Sequence, residues 1–181
     1  MDRKEFFHNT LHLGFSTSAL VLLGAARTTS AGAQESAPAD RQQKATEAWV
    51  QSLMENLDAQ LDPQARTRLM EACGRACARR GALASLAKPA SGSIDKLLSA
   101  LGKHIGKENA TRDGNVVHLR YPKCYCPLVA VGPPRLSNTF CNCSRGWVLE
   151  VFEAVTGKPV AVELTHSIKR GDPDCRFVVR V

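Results

Sequence analysis

The sequence predicts an α+β fold, in which N-terminal helices are followed by an antiparallel sheet with one packed helix and a C-terminal β-hairpin. Two observations predict it. Apolar residues recur at helical spacing through residues 43–101, and short valine-rich runs follow from residue 116 onward. We therefore expect one α+β domain over residues 43–181, preceded by a disordered polar leader over residues 34–42.

Three helices are expected in the first half of the chain. The first spans about 43–60, with apolar residues at four-residue steps: Trp49, Leu53, Leu57 and Leu61. Asp62 and Pro63 are typical of the N-cap and first position of a second helix, which we expect to run to Arg80 and end at Gly81. After a loop at 88–92, Ser93 is expected to cap a third helix.

The second half has strand character. The predicted elements are a strand at 116–121, a loop at 122–138, a helix at 147–155 ended by Gly157, and two strands at 159–167 and 175–181 joined by a turn. Because the chain ends on the last strand, we expect that strand to be paired within the sheet.

The N-terminus resembles an export signal. Residues 1–33 combine the basic start Arg3-Lys4, a moderately apolar stretch and the small-residue sequence Ala31-Gly32-Ala33, so we expect cleavage after Ala33 and a periplasmic location. The apolar stretch is too short and too polar for a stable transmembrane anchor. The start also resembles a twin-arginine translocation signal with Lys4 in the second arginine position. Such a route would let a folded, metal-loaded protein be exported.

The charge balance gives little support for nucleic-acid binding. The chain has 24 Lys and Arg residues against 17 Asp and Glu, a net charge of +7. The basic residues are spread along the chain without interleaved aromatic residues or a helix-turn-helix pattern, so we expect no nucleic-acid partner. An acidic small ligand would also suit this charge.

Seven cysteines are the most informative feature of the sequence. Six form close pairs, Cys73/Cys77, Cys124/Cys126 and Cys141/Cys143, and Cys175 stands apart. Clustered thiols bind a soft or borderline metal, or they form disulfides. Zinc is the expected metal, and an iron–sulfur cluster is the alternative.

Cys73 and Cys77 lie four residues apart on the second predicted helix and so share one face. Three interpretations stay open: shared metal coordination, small buried residues of the core, or pairing with distant cysteines. Arg75 and Arg79 lie beside them, where they would stabilise thiolates or attract an anionic ligand.

The two C-x-C elements are read as turns that together supply four sulfur atoms to zinc or an iron–sulfur centre. In an oxidising compartment the alternative is a set of disulfides, for example from Cys73 and Cys77 to Cys124 and Cys126. An odd number of cysteines would leave at least one thiol outside such a set.

The C-terminal block carries a family resemblance. The segments Cys143-Ser-Arg-Gly-Trp147, Gly157-Lys-Pro-Val-Ala-Val-Glu163 and Gly171-Asp-Pro-Asp-Cys-Arg-Phe-Val178 resemble the end of the 4-vinyl-reductase-like domain, over about residues 116–181. The resemblance implies small-molecule binding and a structural zinc. The implied zinc ligands are Cys141 or Cys143, Glu163, His166 in place of the family's cysteine, and Cys175.

The leading hypothesis is an exported small-molecule-binding domain with a structural metal held by clustered cysteines. Its pocket would lie between the helix at 147–155, the strand at 160–164 and the helix at 69–80, with Trp147, Arg75 and Arg79 as ligand-binding residues. One alternative is a small metal- or thiol-dependent hydrolase acting on a ring or amide substrate. The other is a disulfide-stapled binding module without metal. Whether the protein is an enzyme stays open at this point.

Overall fold

The computed structural model describes residues 38–126, 137 and 139–181, all within one compact unit, Ser36–Val181. The helices are α1 (Pro38–Gln60), α2 (Pro63–Arg80), α3 (Lys88–Ala90), α4 (Ile94–Ile105) and α5 (Asn142–Thr156). The strands are β1 (Ala110–Asp113), β2 (Val116–Tyr121), β3 (Ala161–His166) and β4 (Cys175–Arg180). A π-helical segment, Leu83–Ala87, precedes α3, and a 3₁₀ turn, Ile168–Arg170, lies between β3 and β4.

The four strands form one antiparallel sheet in the order β1-β2-β4-β3. The C-terminal strand β4 is therefore paired on both sides, as expected from the sequence. Among the described residues, five helices, most of them N-terminal to the sheet, and a four-stranded antiparallel sheet confirm the predicted α+β fold class.

The main core lies between one face of the sheet and the helices α4 and α5. Side chains alternate between the two faces of β2 and β4. Those on the inner face pack against the apolar faces of α4 and α5. Its fully buried members include Leu97, Val117, Val148, Phe152 and Phe177.

A second, smaller core lies beside the first and contains cysteines. Val50 and Met54 of α1, Met70 of α2, Phe140 and Cys141 are its buried members. Cys124, Cys126 and Cys143 pack against it. The predicted helices α1 and α2 therefore pack against a region that contains cysteines as well as against each other.

The first helix departs from its prediction in two ways. It begins at Pro38, so residues 38–42 are helical and do not belong to a disordered leader. Its buried face carries Glu47, Val50 and Met54, whereas Trp49 is 65% exposed and Leu53 and Leu61 are both 37% exposed. A strict four-residue step drifts around a helix with 3.6 residues per turn, so one member of the stripe chosen from the sequence, Leu57, packs against the core while Trp49 lies on the exposed side.

The capping signals were accurate. Asp62 caps α2 by accepting hydrogen bonds from the Gln64 and Ala65 amides, and Gly81 follows its last residue. Ser93 caps α4 through the Lys96 amide. Gly157 ends α5 in a left-handed conformation, φ 69°.

Two boundaries and one strand differ from the prediction. Residues 88–90 are helical, with the turn only at Ser91 and Gly92. Strand β1 was missed, although Asp113 and Gly114 are a hairpin signal, with Gly114 at φ 55°. Helix α5 begins at Asn142, five residues earlier than expected, so Cys141-Asn142-Cys143 is a helix start and not a separate turn.

Some expectations concern residues outside this description. The proposed signal peptide (1–33), residues 34–37 of the leader, and residues 127–136 and 138 of the predicted loop are not among the described residues. Among the helices that the structure does describe, none is long and apolar enough to span a bilayer.

Candidate functional site

The cysteine region is organised by a close contact between the backbones of α2 and α5. A Cβ atom added at Gly74 of α2 would overlap the carbonyl group of Cys143, and one added at Gly146 of α5 would overlap the backbone of Glu71. Glycine is therefore needed at both positions for the two helices to approach this closely. This contact places the start of α5, which includes Cys143, against the part of α2 that contains Cys73 and Cys77.

Four cysteines lie around this contact, and we call them the four-cysteine group: Cys73, Cys77, Cys126 and Cys143. Cys73 and Cys77 are exposed on α2, while Cys126 and Cys143 are partly buried. Burial raises the pKa of the Cys143 thiol to about 12, and the neighbouring sulfurs of Cys126, Cys77 and Cys73 add to the rise. Charge on any one of these sulfurs is thus felt at Cys143.

The remaining three cysteines form a second group, Cys124, Cys141 and Cys175, at the end of the sheet. Cys141 is buried and its Sγ accepts a hydrogen bond of 2.8 Å from the Ser167 hydroxyl. The Sγ of Cys175 accepts a longer bond of 3.4 Å from the Ile168 amide. Burial raises the pKa of Cys141 to about 11; the Ser167 bond opposes this rise, and the Cys175 and Cys124 sulfurs reinforce it.

Each C-x-C element therefore contributes one cysteine to each group. Cys141 is the N-cap of α5 and Cys143 lies two residues further along the chain. Residues two apart near a helix start point to different sides, so Cys141 faces the sheet and Cys143 faces α2. Cys124 and Cys126 divide in the same way. The sequence expectation that the two elements jointly bind one ion stays a prediction, and Cys141 also acts electrostatically on Cys143 across the two groups.

All seven cysteines are thiols, and none is in a disulfide. Within the described residues, no group of three or more His, Cys, Asp or Glu side chains is arranged tightly enough to hold a metal ion. Zinc–sulfur bonds of 2.3 Å in a tetrahedral site place the sulfurs about 3.8 Å apart, so metal binding would require the thiols of either group to draw together.

Of the zinc ligands implied by the family resemblance, Cys141 and Cys175 lie in the second group, whereas Glu163 lies apart from them. Glu163 pairs with Val178 and lies on the outer face of the sheet, with its side chain 60% exposed near Arg180. Cys175 lies three residues before Val178 in β4 and thus on the opposite face. A bulge between Leu164 and His166 does interrupt the strand, but the His166 Nδ1 atom lies 3.1 Å from the Thr165 hydroxyl. Glu163 is therefore a surface residue of β3.

The two arginines expected to bind a ligand are engaged with α5. Arg75 forms a two-pronged ion pair with Glu153, at 2.6 and 3.1 Å, and contacts Glu150 at 3.1 Å. Arg79 contacts Glu150 at 2.8 Å. Although burial opposes the shift, the bonds from Arg79 and Arg75 hold the pKa of Glu150 below its usual value. Their charges thus stabilise the α2–α5 contact.

Helix α5 and strand β3, expected to border a ligand pocket, contribute side chains to the main core. Val148 and Phe152 of α5 and Val162 of β3 belong to the main core, and Trp147 packs half-buried against that core. Ser167, which donates to Cys141, was not singled out from the sequence. A buried serine in a strand-to-turn segment carries no sequence signal until its partner is known.

Comparison with known proteins identifies the family. The model of a family of unknown function (DUF6144) matches residues 25–180, so the chain belongs to that family. A search of curated proteins gave no match.

Among the solved structures that match, one is similar over about three quarters of this chain. It is the crystal structure of the phenol-responsive sensory domain of the transcription activator PoxR with phenol. The two chains share 18% identity, with a TM-score of 0.48, over 75% of this chain and 73% of that one. Similarity of this degree supports no inference about ligand or activity.

Proposed function

We propose that this member of the DUF6144 family is an exported metal-binding domain, in which the four-cysteine group holds one zinc ion or an iron–sulfur cluster. The observation that supports the proposal is the backbone contact of α2 with the start of α5, which lies beside Cys73, Cys77 and Cys143, with Cys126 close enough to act electrostatically on Cys143. Export rests on the signal-like residues 1–33.

The chemistry of the group favours a soft or borderline cation. Four thiolates match the donor set of structural zinc and of iron–sulfur clusters. Without a cation, the Cys143 thiol resists deprotonation, because burial and the neighbouring sulfurs of Cys126, Cys77 and Cys73 disfavour its thiolate. A bound cation would offset that repulsion and release protons on binding. Four protein ligands leave no open position, so this metal would be structural.

A thiol-dependent hydrolase has weaker support. A nucleophilic cysteine needs a lowered pKa, whereas the pKa is raised to about 12 at Cys143 and to about 11 at Cys141. The nearby arginines that would stabilise a thiolate are paired with Glu150 and Glu153. Binding of a small molecule remains part of the proposal on the strength of the sequence resemblance, with Trp147 as its candidate contact.

The test is metal content and thiol count on protein purified from the exported fraction. We expect near-stoichiometric zinc or iron, and all seven thiols reactive after denaturation with a chelator. Cys77→Ser and Cys143→Ser should each lose most of the metal bound by this group. Ala72→Ser is the matched control, because it places a serine at an exposed position on the same turn of α2.

Two results would overturn the proposal. Protein without metal in which only one thiol reacts after denaturation would establish three disulfides in its place. Unchanged metal content in Cys77→Ser and Cys143→Ser would exclude the four-cysteine group as the site. Export is tested separately, by the N-terminal sequence of the purified protein, which should begin at Gln34.

A further inference from the structure

Helix α1 has an exposed surface that no described element covers. Only three of its 23 residues, Glu47, Val50 and Met54, are buried. Trp49 is 65% exposed, and Leu53, one turn further along the helix, is 37% exposed. Large aromatic side chains are enriched where proteins bind one another, so this surface is a candidate for a protein partner.

Helical geometry divides the exposed surface of α1 into three strips. The middle strip consists of small exposed residues, Ala45, Ala48 and Ser52. Trp49 and Leu53 follow one side of this strip, since residues four apart share a face. Lys44 and Glu55, both exposed, follow the other side, because 11 residues make about three turns. We call these three strips together the α1 face.

The charged strip of the α1 face is complementary to itself when it is reversed. Lys44 and Glu55 lie about 8 Å along the helix on either side of a midpoint next to Trp49. In an antiparallel pair of α1 helices with a two-fold axis at that point, each strip faces the same strip of the other copy. Lys44 of each copy then lies beside Glu55 of the other. A parallel pair would bring like charges together, which is unfavourable.

We propose that the α1 face is a self-association surface, through which two copies of this chain form an antiparallel, two-fold symmetric dimer. The small residues of the middle strip let the two helices approach, and Trp49 and Leu53 of both copies supply the apolar contact. Two symmetric pairs of Lys44 with Glu55 set the direction of the helices. A single helix pair buries less area than a standard interface, so we expect a dimer that forms in the micromolar range. The proposal does not depend on the cysteines or on a metal.

The experiment is sedimentation velocity on protein purified from the exported fraction, over a series of concentrations and with a reductant present. Wild-type protein should pass from monomer to dimer and no further, because a two-fold interface is closed. Trp49→Ala should raise the dissociation constant of the dimer by about tenfold or more. Leu69→Ala is the matched control: Leu69 is a 42% exposed apolar residue of α2, and its loss should leave the dissociation constant unchanged.

Charge reversal tests the antiparallel arrangement. Lys44→Glu and Glu55→Lys should each raise the dissociation constant by about five- to tenfold, and the double variant should restore the wild-type value. Lys96→Glu, at an exposed position of α4, is the matched control and should have no effect. Added salt should weaken the wild-type dimer but strengthen that of Lys44→Glu, because screening relieves the new repulsion.

Any of four results would overturn the proposal. They are a wild-type protein that stays monomeric or grows beyond a dimer, wild-type association by Trp49→Ala, a loss in Leu69→Ala as large as that in Trp49→Ala, and a double charge variant no tighter than the single ones. Far-UV circular dichroism shows whether each variant keeps its helices. Urea unfolding at concentrations where the wild type is monomeric should not respond to Trp49→Ala, which separates a lost dimer from a lost fold.

Discussion

Gly74 of α2 lies against the backbone of Cys143 at the start of α5, so close that a side chain at position 74 would overlap the Cys143 carbonyl. The relationship ties the position of one cysteine to the packing of two helices. Any change that separates α2 from α5 also moves Cys143 away from Cys73 and Cys77.

Gly74→Ala should therefore destabilise the protein although alanine favours helix. The added methyl group meets rigid backbone atoms, so α5 must shift, and we expect a loss of about 3 kcal/mol in the free energy of unfolding. Chemical denaturation of the metal-free protein measures this directly.

Gly81→Ala provides the matched control, because nothing lies within 4 Å of a Cβ atom at Gly81. We expect it to change stability by less than about 1 kcal/mol. A loss of stability in Gly74→Ala no larger than that in Gly81→Ala would contradict the tight contact between Gly74 and α5.

Local signals explain what the sequence predicted well. Asp62 with Pro63, Ser93 and Gly157 fix helix ends through bonds to amides or a left-handed backbone a few residues away, so these ends are visible in a short window of sequence. Cys141 forms no side-chain capping bond, and the true start of α5 was accordingly missed.

The division of the cysteines into two groups needed the tertiary structure. It depends on where α5 begins and on Gly74 and Gly146, whose contacts lie about 70 residues away in sequence. Considered only within its own helix, a glycine lowers helix stability and gives no sign of a contact with another helix. The ion pair between Arg75 and Glu153 could not be predicted either, because the sequence does not show that the two helices lie side by side.

The buried face of α1 leads to a prediction that contrasts two of its residues. Met54 is 3% exposed and Trp49 is 65% exposed. Met54→Ala should cost about 2–3 kcal/mol through lost burial and a residual cavity. Trp49→Ala should change stability by less than about 0.5 kcal/mol in either direction. Urea denaturation of both variants distinguishes the faces, and the reverse order would restore the stripe first expected from the sequence.

Asp174 should make stability depend on pH in the acid range. Its side chain is almost fully buried and accepts bonds from Arg120 at 2.6 Å and Arg176 at 2.8 Å. The bonds from Arg176 and Arg120 lower its pKa from 3.8 to about 2. Because the folded-state pKa is the lower one, this contribution to stability is complete above about pH 4 and is lost as the pH falls toward about 2.

Asp174→Asn removes that titration. We expect lower stability at neutral pH, because Arg120 and Arg176 face each other across β2 and β4 without a carboxylate between them. We also expect a flatter pH dependence between about pH 4 and 2, measured by urea unfolding at several pH values. Asp113→Asn, at an exposed end of β1, is the control and should keep the wild-type slope. An unchanged slope in Asp174→Asn would contradict this assignment.

The ion pairs between α2 and α5 should differ in strength because their exposure differs. The Arg75 side chain is 28% exposed, and two of its guanidinium nitrogens bond to Glu153. The Arg79 side chain is 53% exposed, and one of its guanidinium nitrogens contacts Glu150. A double-mutant cycle with Arg75→Ala and Glu153→Gln should give a coupling of about 1 kcal/mol, and the cycle with Arg79→Ala and Glu150→Gln about 0.3 kcal/mol. Arg75→Lys should recover little of the loss, because an ammonium group cannot reproduce the two-pronged geometry. Equal coupling energies in the two cycles, or full recovery of stability in Arg75→Lys, would contradict a special role for the two-pronged geometry of Arg75.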